Sequence, residues 1–325
     1  VLRVMNASKR QRIVLEAYCA RRGITNAVLL GFGRAIAEVG AVLMVGGNIA
    51  GKTRVLTTSV VLETSVGRLN VALQIGLVLL LVSLITAFTL QFIQFVRFFD
   101  GQTFGEDVPE EHIIDSFNAT WDKLRVVKDG NVIVDVPSIN LSSSKIVALM
   151  GESGSGKSTL LRVMCGLEGS TNRHSNDIAY VSQNPVLVMD SVAMEMGLPS
   201  RLHSHLPNAG IYYASKCGFE QKGAQRTDSL SGGEIQRLAF LRALGMNRRI
   251  LILDEVTSEL DGNSIKKVED EILKFCKKGG IVFFATHNPQ QAQRLADEIL
   301  YIHNGCFIDE NHEVAKQLRS GIRIG

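Results

Sequence analysis

Gly151-Glu152-Ser153-Gly154-Ser155-Gly156-Lys157-Ser158-Thr159 is the stretch from which the rest of the chain can be read. Its spacing is G-x-x-x-x-G-K-[ST]. An apolar run, Lys145 to Met150 (KIVALM), precedes it, and the start of a helix, Leu160 to Cys165, follows. Strand, glycine-rich loop and helix in that order make a phosphate cradle, because glycines let backbone N–H groups turn inward and the helix N-terminus adds the positive end of its dipole. Lys157 is placed to reach β- and γ-phosphates and Ser158 to offer a hydroxyl to Mg²⁺. By itself the loop says only that the chain binds a nucleotide, with Mg²⁺ beside its phosphates.

Further along, Ile250-Leu251-Ile252-Leu253-Asp254 is an apolar strand that ends in a carboxylate, the arrangement that presents Asp254 to a metal's water shell. Glu255 follows directly. A second carboxylate beside the metal one can polarise an attacking water, which makes Glu255 the candidate general base; a paired surface acid is the plainer alternative.

Leu230-Ser231-Gly232-Gly233-Glu234-Ile235-Gln236-Arg237 resembles the signature motif of the ABC (ATP-binding cassette) ATPases. The resemblance runs from about Asp115 to Ile308. It implies that Ser231, Gly232 and Gly233 close over the γ-phosphate held by a second cassette, so that the working unit is a dimer, with a homodimer expected. It further implies that Gln183, in Tyr180-Val181-Ser182-Gln183, touches Mg²⁺ and senses a membrane domain. Asp261, in Ser258-Glu259-Leu260-Asp261, belongs to the loop that crosses the dimer, and His287 contacts the γ-phosphate. Where many members stack adenine on a tyrosine, the best-placed aromatic here is Trp121, thirty residues before Gly151. The segment from Lys157 to Gln183 is short for the family, which implies a trimmed β subdomain.

Composition agrees with a chain in two parts. The 325 residues carry a net charge of +3, too little to suggest nucleic acid as a partner, and the five cysteines lack metal-ligand spacing. They read as reduced and mostly buried. The chain starts at Val1 with nothing resembling a signal peptide, and is expected to be the C-terminal part of something longer.

The apolar residues concentrate before the cassette. Residues 1–23 read as a short helix, a break near Asn6 to Ser8, and a helix with a cationic face; a membrane-surface helix, a docking helix and a solvated face all fit. Ile24 to Val45 and Ala72 to Val96 are each long and apolar enough to be bilayer spans. The positive-inside rule puts both outer ends in the cytoplasm, from Lys9, Arg10, Arg12, Arg21 and Arg22 before the first span and Arg97 after the second. Gly46 to Val71 is then an outer loop. Within the first span Arg34 and Glu38, at i and i+4, fit either a structural pair or a place on a translocation path. Phe98 to Glu111 reads as a linker, and residues 112–325 as the cassette. The fold class expected is an α/β P-loop ATPase, an ABC cassette with a helical subdomain, preceded by an all-α membrane segment with two transmembrane helices.

Gly31-Phe32-Gly33-Arg34-Ala35-Ile36-Ala37-Glu38-Val39-Gly40-Ala41, with Met44 to Ile49 and Thr53 to Thr58, looks like the C-terminal half of oxyanion-importer permeases, most like the tungstate type. The resemblance implies ATP-driven import across the cytoplasmic membrane. The implied partners are further permease helices, an extracytoplasmic substrate-binding protein and membrane lipid, with residues 1–23 as the segment that couples permease to ATPase. An ABC exporter, a soluble ABC ATPase of DNA repair or translation, and an ATP-binding regulator that does not hydrolyse are the rival readings.

Overall fold

The computed structural model describes residues 5–38, 44–46, 48–95, 104–107, 114–169, 174 and 176–320. The chain divides into two compact units, one of Val1–Arg12 with Gly101–Gly325 and the other of Ile13–Asp100.

The larger unit is organised around six strands in the order β10-β9-β5-β8-β7-β6. Here β5 is Ile146–Met150, β6 Ile178–Val181, β7 Ile250–Asp254, β8 Ile281–Thr286, β9 Glu298–His303 and β10 Cys306–Ile308. All neighbours are parallel except β10, which turns back against β9. Every residue of β5, β7 and β8 is buried. That is why IVALM, ILILD and IVFFAT are continuous apolar runs rather than alternating ones: a parallel strand covered on both faces has no wet side.

Ahead of the sheet, β1 (Asn118–Trp121) pairs with β4 (Ile139–Ser142), and β2 (Leu124–Lys128) pairs with β3 (Asn131–Val136) across a bulge at Val126/Val127. These strands alternate in burial and close one side of the core through Ala119, Val134, Val136 and Leu141. Sequence patterning locates seven of the ten strands, β2, β3 and β5 to β9, but not β1, β4 or β10. Those three are short and half wet, so their apolar runs are broken. No strand appears among the described residues between Lys157 and Ile178.

A helical layer follows β6, made of α5 (Val192–Met196), α6 (Leu198–Leu202), α7 (Gly210–Cys217) and α8 (Gly232–Gly245). Glu195 is fully buried in it. Its carboxylate accepts from the Val188 and Met189 N–H groups at 2.9 and 2.7 Å and pairs with Arg242. Residues 104–107, expected within a free linker, are tied to this layer instead. Gly105 O accepts Ile211 N–H at 3.0 Å, and Asp107 accepts Asn208 N–H at 2.7 Å. The rest of the expected linker, residues 98–103 and 108–111, lies outside the described residues.

The other unit is helical: α1 (Lys9–Ala37, which enters this unit at Ile13), α2 (Leu56–Ser65) and α3 (Leu69–Phe95). The expected boundaries change here. The cationic stretch and the start of the first expected span form one continuous helix, so that span has no helix of its own beginning at Ile24, and Val39 to Ala41 with Val42 and Leu43 lie outside the described residues. Glu38 falls one residue beyond α1, so it does not share a helical face with Arg34 as the spacing predicts; both are exposed. The expected outer loop contains α2, and the second apolar helix begins at Leu69 rather than Ala72. Among the described residues one helix, Leu69–Thr89, is long and apolar enough to cross a bilayer, and its surface is almost wholly exposed.

Of the cysteines, Cys165, Cys217 and Cys276 are buried while Cys19 and Cys306 are exposed, all as free thiols.

Candidate active site

The phosphate loop leaves β5 at the middle of the sheet and enters α4 (Lys157–Met164). Gly156 sits at the helix N-cap with φ +103°, a backbone conformation that L side chains rarely adopt. At Gly151 the constraint is space, since a Cβ there would lie 2.5 Å from the Ile302 carbonyl oxygen. Lys157 is only 6% exposed and folds back over the loop, its Nζ donating to the carbonyls of Gly151 at 2.8 Å and Glu152 at 2.9 Å. Burial lowers its pKa from the ordinary lysine value, with Glu255 and Asp254 opposing that shift.

Asp254, at the end of β7, is 2% exposed. The Tyr180 hydroxyl donates to its Oδ2 at 3.4 Å, and the Ser158 side chain hydrogen-bonds to it. Burial raises its pKa, Ser158 works against that, and the charge of Glu255 adds to it. Its Oδ1 is buried and has no hydrogen-bond partner. Such an oxygen is costly unless something takes its lone pairs. A hard cation with oxygen ligands and retained waters would do so, with the Ser158 hydroxyl beside it, so these residues fit Mg²⁺.

Glu255 is where the site converges. Its Oε2 lies 3.2 Å from His287 Nδ1 and accepts from Gln183 Nε2 at 3.3 Å, while Oε1 is 3.8 Å from Lys157 Nζ. Its own φ is +50°, a left-handed conformation that costs a non-glycine residue about 1 kcal/mol or more. Two backbone hydrogen bonds hold it there, Glu255 N–H to Ala285 O at 3.1 Å and Ser258 N–H to Glu255 O at 3.2 Å. The strained turn aims the carboxylate at the loop instead of along the strand.

Over these groups lies a cavity of about 760 Å³ lined by the phosphate loop, Gln183, Glu255 and His287. Ile133 of β3 and one face of α11 (Glu313–Ser320), with Val314, Gln317 and Leu318, complete the wall. The order along the chain includes α9 (Gly262–Lys277) and α10 (Pro289–Leu295) before it.

The other sequence-derived candidates stand elsewhere. Ser231 caps α8, its hydroxyl accepting Glu234 N–H at 3.4 Å while Glu234 Oε2 accepts Ser231 N–H at 2.9 Å. Lys222, and then the Ser231 N–H, lower the Glu234 pKa to about 2. Asp261 caps α9, accepting the N–H groups of Asn263 and Ser264, each at 3.0 Å. Neither Ser231, Gly232, Gly233 nor Asp261 lines the cavity of a single chain. Trp121 is a correction. It is 4% exposed in the core, its Nε1–H donates to Met164 O at 3.0 Å, and it does not line the cavity, so its ring is committed to packing and not to adenine. Sequence reasoning missed Tyr180 as a partner of Asp254, and missed Ile133 and α11 altogether, since aliphatic residues bear no chemical mark of a binding role.

Elsewhere on the same unit, Met5 is 5% exposed and shares the lining of a small cavity with Tyr180, Ser182, Pro185, Arg242 and Met246. His203 Nε2 lies 2.8 Å from Met5 O, and Gln11 Nε2 donates to Leu202 O at 2.8 Å. Arg242 also donates to Val186 O at 3.1 Å, and Gln236 Nε2 to Gln183 O at 3.3 Å. The loop carrying Gln183 thus borders both the cavity and the seat of Met5.

A family model described as ABC transporter matches residues 134–258. The putative ABC transporter ATP-binding protein YjkB of Bacillus subtilis (strain 168) is 32% identical over 220 residues, which cover 59% of this chain and 87% of the relative. The chain belongs to the ABC transporter ATP-binding family. The tungstate uptake system ATP-binding protein TupC of Peptoclostridium acidaminophilum is 29% identical over 202 residues, covering 57% of this chain and 94% of the relative. The glutamine transport ATP-binding protein GlnQ of Bacillus subtilis (strain 168) is 30% identical over 197 residues, covering 53% and 81%. Among solved structures, a nucleotide-free ATP-binding cassette from an ABC transporter superposes with a TM-score of 0.52 at 17% identity, covering 63% of this chain and 95% of that one, which speaks to the fold. As a cassette of this family the chain is an ATP-hydrolysing transporter ATPase that uses ATP with Mg²⁺.

Proposed function

We propose that this chain joins the last part of an importer permease to its ATPase, and that it drives uptake of a tetrahedral oxyanion, tungstate, across the cytoplasmic membrane. The observation that carries the fusion is the seat of Met5. A segment from before the apolar helices is packed on the cassette beside the loop of Gln183, with Met5 buried and its carbonyl against His203, where a movement at the nucleotide can be passed on. The likeness to the tungstate relative and the permease-like run from Gly31 to Thr58 support the substrate. On this reading the apolar helix Leu69–Thr89 crosses the membrane, with the cassette on the cytoplasmic side. A second cassette supplies Ser231, Gly232, Gly233 and Asp261 across the dimer, and a binding protein delivers the oxyanion from outside.

The contacts around Glu255 support the following catalytic roles. Lys157 leaves the loop carbonyls to meet the β- and γ-phosphates, and the inward N–H groups of Gly151 to Thr159 hold them. Ser158, Asp254 and Gln183 are the residues to hold Mg²⁺, which when bound offsets the charge on the phosphate oxygens. Glu255 takes a proton from the attacking water, and His287, 3.2 Å from the carboxylate, orients it against the γ-phosphate. Closure of two cassettes moves the Gln183 loop and with it the pocket around Met5.

Nucleotide binding and phosphate release by the full chain in detergent micelles test this assignment. Glu255→Gln is expected to bind ATP as the wild type does with turnover reduced at least a hundredfold, and Lys157→Ala to lose binding. Brisk hydrolysis by Glu255→Gln would remove the general base from the account.

A further inference from the structure

The cavity above the phosphate loop is larger than phosphate chemistry needs, and the additional wall is aliphatic. Val314, Gln317 and Leu318 stand at i, i+3 and i+4 on α11, hence on one face, and all three are half-buried while they line that cavity together with Ile133. Among the described residues no Phe, Tyr or Trp lines it, and Trp121 is locked in the core. A purine attached to a triphosphate in the loop still has two apolar faces to shield from water. At about 760 Å³ the space suits a whole nucleotide.

The helix is also fixed relative to the loop. Ala315, flanking that face beside Leu318, is 1% exposed and anchors the helix. The β9–β10 turn just before it is stitched to the phosphate loop and to β3: Gly305 N–H donates to Ser155 O at 2.9 Å, and Gly305 O accepts Asp135 N–H at 2.8 Å. His303 Nδ1, on the same hairpin, lies 3.6 Å from Glu152 Oε2. A wall held at this many points can contribute contact without first being ordered.

We propose that α11 forms the base site of the cassette, with the adenine packed between Ile133 and the Val314/Leu318 face in place of an aromatic stack. The Gln317 carboxamide, which can donate and accept, faces the polar edge of the base. This rests on the phosphate-loop assignment above and adds the recognition of the nucleoside to it.

Calorimetric titration of the full chain in detergent micelles with Mg·ATP and, separately, with Mg·tripolyphosphate tests the proposal, because the second ligand has the phosphates without the base. Val314→Ala/Leu318→Ala removes five carbons from the wall and is expected to weaken ATP about tenfold, with tripolyphosphate within twofold of wild type. Leu318→Ala alone is expected to weaken ATP about threefold, and serves where the double variant unfolds early. Adding Ile133→Tyr to the double variant supplies an aromatic face and returns most of the ATP affinity. ATP binding that is unchanged or tighter in the double variant overturns the proposal, as does an equal loss for both ligands. Failure of the phosphate-loop assignment has a different signature, namely Lys157→Ala leaving both affinities intact.

Discussion

Arg242→Met offers a sharp test of how the helical layer is held. Glu195 has no exposure, and its carboxylate is satisfied by three groups: the N–H of Val188, the N–H of Met189 and the guanidinium of Arg242. Methionine keeps the length and apolar stem of the arginine but removes the only cation, leaving a buried carboxylate with backbone partners alone. Breaking one side of a buried pair costs about 3–5 kcal/mol, far more than the pair itself is worth against an apolar replacement. For a unit of this size that is roughly 2–4 °C per kcal/mol, so a fall of about 10 °C in the unfolding midpoint is expected. The assay is intrinsic-fluorescence thermal unfolding of the full chain in micelles. Glu195→Gln/Arg242→Met, with no buried charge left, is expected to regain about half of the loss, which makes the two effects non-additive. A midpoint within 2 °C of wild type for Arg242→Met, or strictly additive effects, would refute the claim that this charge is compensated by that arginine.

Other outcomes follow from the same contacts. His287→Ala is expected to lower the rate of phosphate release about a hundredfold with ATP affinity nearly unchanged, since the imidazole touches Glu255 and not the loop. Acid titration should single out Glu234. Its pKa falls from 4.5 to about 2 in the folded state, so its contribution is complete above 4.5 and is lost as pH drops through about 2. Between those values Glu234→Gln should lose less stability with falling pH than the wild type, as read from unfolding midpoints at a series of pH values. Trp121→Phe should leave ATP affinity within twofold while lowering the midpoint by a few degrees, because it removes a buried N–H partner of Met164 and core volume.

What the sequence made legible divides along physical lines. The central strands were readable because burial on both faces leaves them with nothing but apolar residues, as in ILILD before Glu255. The phosphate loop was readable because only glycine tolerates the backbone at Gly156 and only a cation and hydroxyl suit phosphate and metal. Asp254 and Glu255 are legible locally, as carboxylates at the end of an apolar strand, whereas the family resemblance supplies Gln183 and His287 from two distant loops; in the structure both of these lie within hydrogen-bonding reach of Glu255. Two things were not legible. Trp121 seemed the natural base platform because aromatic character is visible in a sequence and burial is not. The helix ends in residues 13–95 were misplaced because apolar runs mark what lipid or core can accept and do not mark where a helix begins: α1 starts in cationic sequence, fifteen residues ahead of the apolar run that was read as a span.

On the proposed reading one polypeptide couples ATP hydrolysis to oxyanion uptake through the contact at Met5. Uptake of radiolabelled tungstate by cells expressing the full chain, compared with the same cells carrying Glu255→Gln or Met5→Asp, addresses it most directly. The wild type is expected to accumulate tungstate and both variants to fail, with purified Met5→Asp still releasing phosphate from ATP. Uptake undiminished in either variant would contradict the coupling of these two activities.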